Sequence, residues 1–163
     1  MVFRSELTGD TNYLSSPILT MRRILSHPML HNYQTFVDIG CGEGLVGVFV
    51  RLIQKKSIVL HDTQPSFLTM ISFYTRLFSV SRVTCSGELL KDYPEKSVFL
   101  CVWTSWSTEN RQHMMEQLSN VVPKDGVLIM VSHAMVHPMF IEVDKITETF
   151  AWGKASVYYY KHA

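Results

Sequence analysis

Net charge is almost absent from this sequence. Fifteen Lys and Arg stand against fourteen Asp and Glu, leaving +1 with histidine neutral. So balanced a chain carries no bulk electrostatic footprint for nucleic acid. The adjacent pairs Arg22-Arg23 and Lys55-Lys56 read as solvated surface, although net charge alone does not exclude a local basic patch. Cysteine is scarce too. Cys41, Cys85 and Cys101 are odd in number and widely spaced, which excludes a disulfide framework. Cys85 and Cys101 stand in apolar runs and are expected to be buried thiols, and the set suits a reducing compartment. No charged-then-apolar leader opens the sequence. No uninterrupted apolar run approaches the ~20 residues that cross a bilayer. The expectation is an intracellular, cytoplasmic protein with no membrane role. Internal repeats, low-complexity tracts and linkers are also missing, which excludes fibrous and disordered classes.

What is present is an ordinary globular composition, 47% hydrophobic and 18% charged over 163 residues. That length suits a single domain, 1–163, able to bury its own core, with residues 1–30 as an N-terminal arm and helix. Short apolar runs alternate with amphipathic stretches, which predicts an α/β domain with a mostly parallel, doubly wound sheet. Pro17 starts a helix, with Ser16 as its cap, and Ile18, Met21, Ile24 and Leu25 share one face. Pro28 ends or bends it.

Residues 36–39 read as a buried first strand, followed by a glycine-rich turn and a helix carrying Leu45, Val46, Phe49, Val50 and Ile53. Residues 57–61 form a second strand. Pro65 opens a helix that is apolar on more than one face, so deep packing is expected of it. Short strands follow at 82–85 and 97–103, then a helix over 109–118 capped near Ser107 or Thr108. The run 127–131 is apolar throughout and reads as a central strand. Residues 145–152 and 155–161 around Gly153-Lys154 read as a β-hairpin, closing the sheet with an antiparallel pair at its edge.

The informative run is Phe36-Val37-Asp38-Ile39-Gly40-Cys41-Gly42-Glu43-Gly44. A buried strand enters glycines at alternate positions and a helix follows. Such glycines let the backbone turn tightly and approach a ligand closely, and the helix start offers free N–H groups. A dinucleotide fingerprint would need a third glycine at position 45, where Leu45 stands. That spacing opposes a nicotinamide-binding reading. An acidic residue before G-x-G-x-G resembles the class I S-adenosylmethionine-dependent methyltransferases. The resemblance spans residues 33–131 and implies S-adenosylmethionine as cofactor, held by Asp38, Gly40, Cys41, Gly42 and Gly44. It also implies that Asp62, after the second strand, accepts hydrogen bonds from the ribose hydroxyls, and that Glu88, in Ser86-Gly87-Glu88-Leu89-Leu90, meets the adenine amino group. Val122-Pro123-Lys124-Asp125-Gly126 matches the proline-glycine turn before the fifth strand.

The sequence also departs from the family. Phe99 stands where many relatives carry a strand-four aspartate. The amino-methyltransferase motif, Asp or Asn followed by two prolines and an aromatic residue, is missing from 103–106. No lysine-aspartate-lysine-glutamate tetrad for ribose methylation is visible. Trp103 and Trp106 either wall an acceptor pocket or pack the rim. His133, after the fifth strand, is the candidate general base. Its spacing to His137 does not make a zinc pair, because Pro138 follows directly and no helix is indicated. Tyr13 resembles an N-terminal aromatic that some relatives fold over the cofactor. The expected function is methyl transfer to an unidentified acceptor, whether protein side chain, RNA or small molecule. The alternative is a non-catalytic methyltransferase-like subunit that binds a partner protein.

Overall fold

The computed structural model describes residues 16–104 and 106–163; the candidate Tyr13 lies outside them. Seven strands form one sheet in the order β3-β2-β1-β4-β5-β7-β6. Four parallel pairings join β3 (Val83–Ser86), β2 (Ser57–His61), β1 (Thr35–Ile39), β4 (Ser97–Val102) and β5 (Val127–Val131). The sheet then closes with antiparallel β7 (Gly153–His162) against β5, and β6 (Phe140–Phe150) against β7. Every residue of β1 and β5 is buried, as expected where a parallel strand is covered on both faces.

Helices α1 (Ile18–Leu25), α2 (Leu45–Gln54) and α3 (Pro65–Leu77) share one face of the sheet, and α4 (Thr108–Val121) packs on the other. On the first face Met21, Ile24, Val50 and Ile71 meet Leu60, Leu100 and Ile129. On the second, Met114 and Leu118 meet Val37, Phe99 and Met130. Alternate residues of each strand feed the two clusters, as a period of two demands.

Five sequence expectations need correction. Pro17, not Ser16, precedes the first helical residue of α1, and no side chain caps it. The helix stops at Leu25, before Pro28, which instead opens a single 3-10 turn, Pro28–Leu30. Deep packing of α3 does not occur. Only Phe67 and Ile71 are buried, because α3 lies against the four-residue edge strand β3 and nothing covers its outer side among the described residues. For the same reason Cys85 is exposed, while Cys101 in the interior strand β4 is buried. The hairpin also begins earlier than its polarity suggested. β6 starts at Phe140 and absorbs an irregularity between Glu142 and Asp144, which interrupts its alternation.

Two details fix the helices to the sheet. Gly47 of α2 faces β2 so closely that a Cβ there would lie 2.3 Å from Leu60 Cδ2 and 3.0 Å from Ile58 Cγ2. The Tyr159 hydroxyl of β7 donates to the Ile24 carbonyl of α1 at 3.0 Å in the buried interior. Among the described residues no helix is long and apolar enough to cross a membrane.

Candidate active-site cleft

The C-terminal ends of the parallel strands open into a cleft of about 640 Å³, a size typical of small-molecule sites. Its floor is the glycine turn after β1. Gly40, Gly42 and Gly44 have φ of 71°, 54° and 73°, the left-handed region that side chains disfavour. The backbone N–H groups of Gly40 and Cys41 both donate to the His61 carbonyl, at 2.8 and 3.0 Å, which ties the turn to the end of β2. Gly44 caps α2 in the left-handed conformation and packs beneath the turn. A Cβ there would sit 2.6 Å from Ile71 Cγ1.

Asp62 completes the turn. Its two carboxylate oxygens accept from the Gly42 and Gln64 backbone N–H groups, each at 2.9 Å. This residue therefore has a structural task that its spacing did not disclose. Each oxygen retains acceptor capacity toward the cleft.

Asp38 is 4% exposed and lines the cleft. Burial, reinforced by the negative charge of Asp62, raises its carboxyl pKa to about 7. Cys41 lines the cleft too, but burial pushes its thiol far above the ordinary range, so it is no nucleophile at neutral pH. His61 is buried beside Asp62, and desolvation lowers its pKa. Its Nδ1 has no hydrogen-bond partner, an orphaned polar atom at the wall of a ligand-sized space.

The opposite wall comes from the end of β4 and the first turns of α4: Thr104, Trp106, Asn110, His113 and Met114. Trp106 lies directly over the glycine turn, so that a Cβ on Gly40 would come within 3.0 Å of its Cζ2. The Ser107 hydroxyl accepts from the Asn110 N–H at 3.1 Å and starts α4, which is what places Asn110 and His113 on the cleft. His113 Nε2 lies 3.1 Å from Gln117 Nε2 one turn on. Thr104 and Ser132 exchange a 2.7 Å hydroxyl contact that joins the ends of β4 and β5.

The structure thus gathers Asp38, Gly40, Cys41, Gly42, Asp62 and Trp106 at one cleft. Gly44, packed beneath the turn, does not line the cleft, and three other candidates stand elsewhere. Trp103 is buried, stacks on Trp106 with ring centroids 6.0 Å apart, and faces a second recess with Arg111 and His133. His133 therefore lines a recess other than the cleft of the glycine turn. Glu88 is exposed and does not line the cleft; its backbone is engaged by the Ser86 hydroxyl. Sequence reasoning missed His61, Asn110 and His113. The helix-cap signal at Ser107 was legible, and counting one turn and then a second from it would have pointed to Asn110 and His113.

Solved structures share this architecture. The precorrin-6y C5,15-methyltransferase of Geobacter metallireducens aligns over 98% of this chain and 96% of its own, with 15% identity and a TM-score of 0.64. TrmN of Thermus thermophilus aligns over 90% of this chain with 12% identity and a TM-score of 0.69. A variant of MtNAS in complex with S-adenosylmethionine aligns over 88% with 13% identity and a TM-score of 0.69.

The chain has the class I methyltransferase fold.

Within that fold the chain spans 48% of the length of TrmN and 60% of MtNAS. No protein-family model and no curated protein matches the sequence. At such identities the likeness concerns the class I methyltransferase fold alone, and function rests on the cleft.

Proposed function

We propose that the cleft binds S-adenosylmethionine and that the chain transfers a methyl group from it to an acceptor held against Trp106 and His113. The carrying observation is the convergence of Asp38, Asp62 and the left-handed glycine turn on one face of the cleft, with a separate aromatic and polar wall opposite. The residues present suit this cofactor. Asp38, costly to ionise because it is buried beside Asp62, would gain a counter-charge from an ammonium or sulfonium group. Asp62 keeps acceptor sites for a vicinal diol beyond its two backbone bonds.

When bound, the cofactor supplies a methyl on a sulfonium, with a neutral thioether as leaving group. The protein's part is alignment and exclusion of water. Trp106 presents a flat indole over the turn and sets the separation of the two walls. His113, its ring oriented by Gln117, replaces His133 as the candidate group to take a proton from the acceptor. The acceptor class stays as open as the sequence left it: protein side chain, RNA or small molecule.

Calorimetric titration with S-adenosylmethionine and S-adenosylhomocysteine tests the reading. Micromolar binding is expected, weakened at least about ten-fold by Asp62→Asn, the loss of one charge-assisted hydrogen bond. Asn at 62 retains one acceptor oxygen for the turn, whereas Asp62→Ala would strip both backbone bonds and confound folding with binding. Absence of binding by a folded wild-type chain would overturn the proposal. Binding without turnover on any acceptor would favour the partner-binding alternative.

A further inference from the structure

The C-terminal halves of α2 and α3 carry a surface that the cleft does not use. Leu52, Ile53, Phe73, Leu77 and Phe78 are 52, 63, 61, 60 and 50% exposed. They lie on two helices that pack side by side, and Arg51 Nε bridges from α2 to the Ser81 carbonyl beyond α3 at 2.8 Å. Lone exposed apolar residues are ordinary, whereas clustered ones mark interaction sites.

The charges around this cluster have one sign. Neither α2 nor α3 contains an acidic residue. Between Gly44 and Ser86 the only carboxylate is Asp62, which sits in the cleft at the opposite end of these helices. Lys55, Arg76 and Arg82 are exposed, and the ion pairs found among the described residues involve none of them. Cations near helix C-termini complement the helix dipole, which accounts for Arg51 and Arg76 but not for five exposed apolar side chains.

We propose that this surface docks a partner protein presenting an apolar strip rimmed by carboxylates. Aromatic residues and arginine with few acids is the composition of protein-interface cores. Phe73 and Phe78 offer faces on which bases could stack, but Leu52, Ile53 and Leu77 do not. A two-fold contact with a second copy would bring together two rims of the same positive sign. The surface lies away from the cleft mouth, so an occupied docking face leaves the cofactor site open, and the proposal stands whether or not the cleft binds S-adenosylmethionine.

The test uses the full chain with a fluorine reporter at position 73. It is titrated with a Leu/Glu amphipathic helical peptide, its Leu/Lys counterpart, phosphatidylserine vesicles and poly(U) RNA, while sedimentation follows self-association. The expected result is a reporter shift with the Leu/Glu peptide, bound about ten-fold more tightly than the Leu/Lys peptide, the sum of several rim pairs. The double variant Arg76→Glu, Arg82→Glu, checked for fold by circular dichroism, should reverse that preference. Equal response to both peptides, preference for vesicles or RNA, or concentration-dependent dimerisation through this face would each overturn the proposal. So would a Leu/Glu-peptide response that requires removal of residues 1–15, since that would make the chain's own N-terminus the occupant.

Discussion

Replacing Asp38 by Asn should make the folded chain more stable at pH 8 and change it little at pH 4. In the native state the Asp38 carboxyl has a pKa of about 7, against an ordinary 3.8. Burial is the larger cause and the charge of Asp62 the smaller. The folded protein thus holds a proton that the unfolded chain releases once the pH passes about 4. Across the window from about 4 to 7 the native state binds more protons, so stability falls as pH rises and the loss is complete above 7. At ~1.36 kcal/mol per pH unit the gap caps the effect at about 4 kcal/mol, and water entering the cleft reduces it. Asparagine keeps the side-chain shape without the charge. Urea unfolding of both proteins at pH 5 and pH 8 is the assay. The stability difference, variant minus wild type, should grow by a few kcal/mol between the two pH values. An equal difference at both would show that Asp38 ionises as an exposed carboxyl does, and the desolvation argument would fail. A cationic ligand should reverse the preference, so S-adenosylmethionine binding near pH 6 should release protons, detectable as a buffer-dependent binding enthalpy.

The remaining expectations concern packing and the turn. Gly47→Ala should destabilise by about 1–3 kcal/mol in denaturant titration despite the better helix propensity of alanine, since the new Cβ meets Leu60 at 2.3 Å; a stabilised variant would show that α2 can shift at little cost. Tyr159→Phe removes the buried bond to the Ile24 carbonyl and should cost about 1 kcal/mol, with faster amide exchange in α1 as its signature. Gly40→Ala places a Cβ in the left-handed region and against Trp106, so cofactor affinity should fall and the indole emission should change, while a variant identical to wild type in both would deny the close approach.

Much of the parallel half of the sheet was legible in the sequence. Residues 57–61 and 127–131 match β2 and β5 residue for residue, because interior parallel strands are continuous apolar runs bounded by turn residues. The glycine turn was legible because three left-handed positions demand glycine locally. What escaped depended on neighbours. Nothing in the composition of α3 says that its strand is a four-residue edge, so its outer apolar residues read as core. The structural task of Asp62 depends on a turn 20 residues away in sequence. His133 and Trp103 were misplaced for the same reason. Position after a strand predicts the rim of the sheet, but it does not say which recess of that rim a side chain lines, and Trp103 and His133 line the one with Arg111.

The place of β7 has a further consequence for biosynthesis. This strand lies between β5 and β6, although β6 precedes it in the chain. During synthesis β6 emerges with neither of its edges matched, and β5 exposes its free edge until β7 arrives to join the two. The late strand acts as a keystone, and the nascent chain presents two open edges to its surroundings before the sheet can close. Closure of the sheet is thereby deferred until β7 has been made, and a substitution that weakens β7 should lower the yield of native chain more than its equilibrium cost alone would indicate.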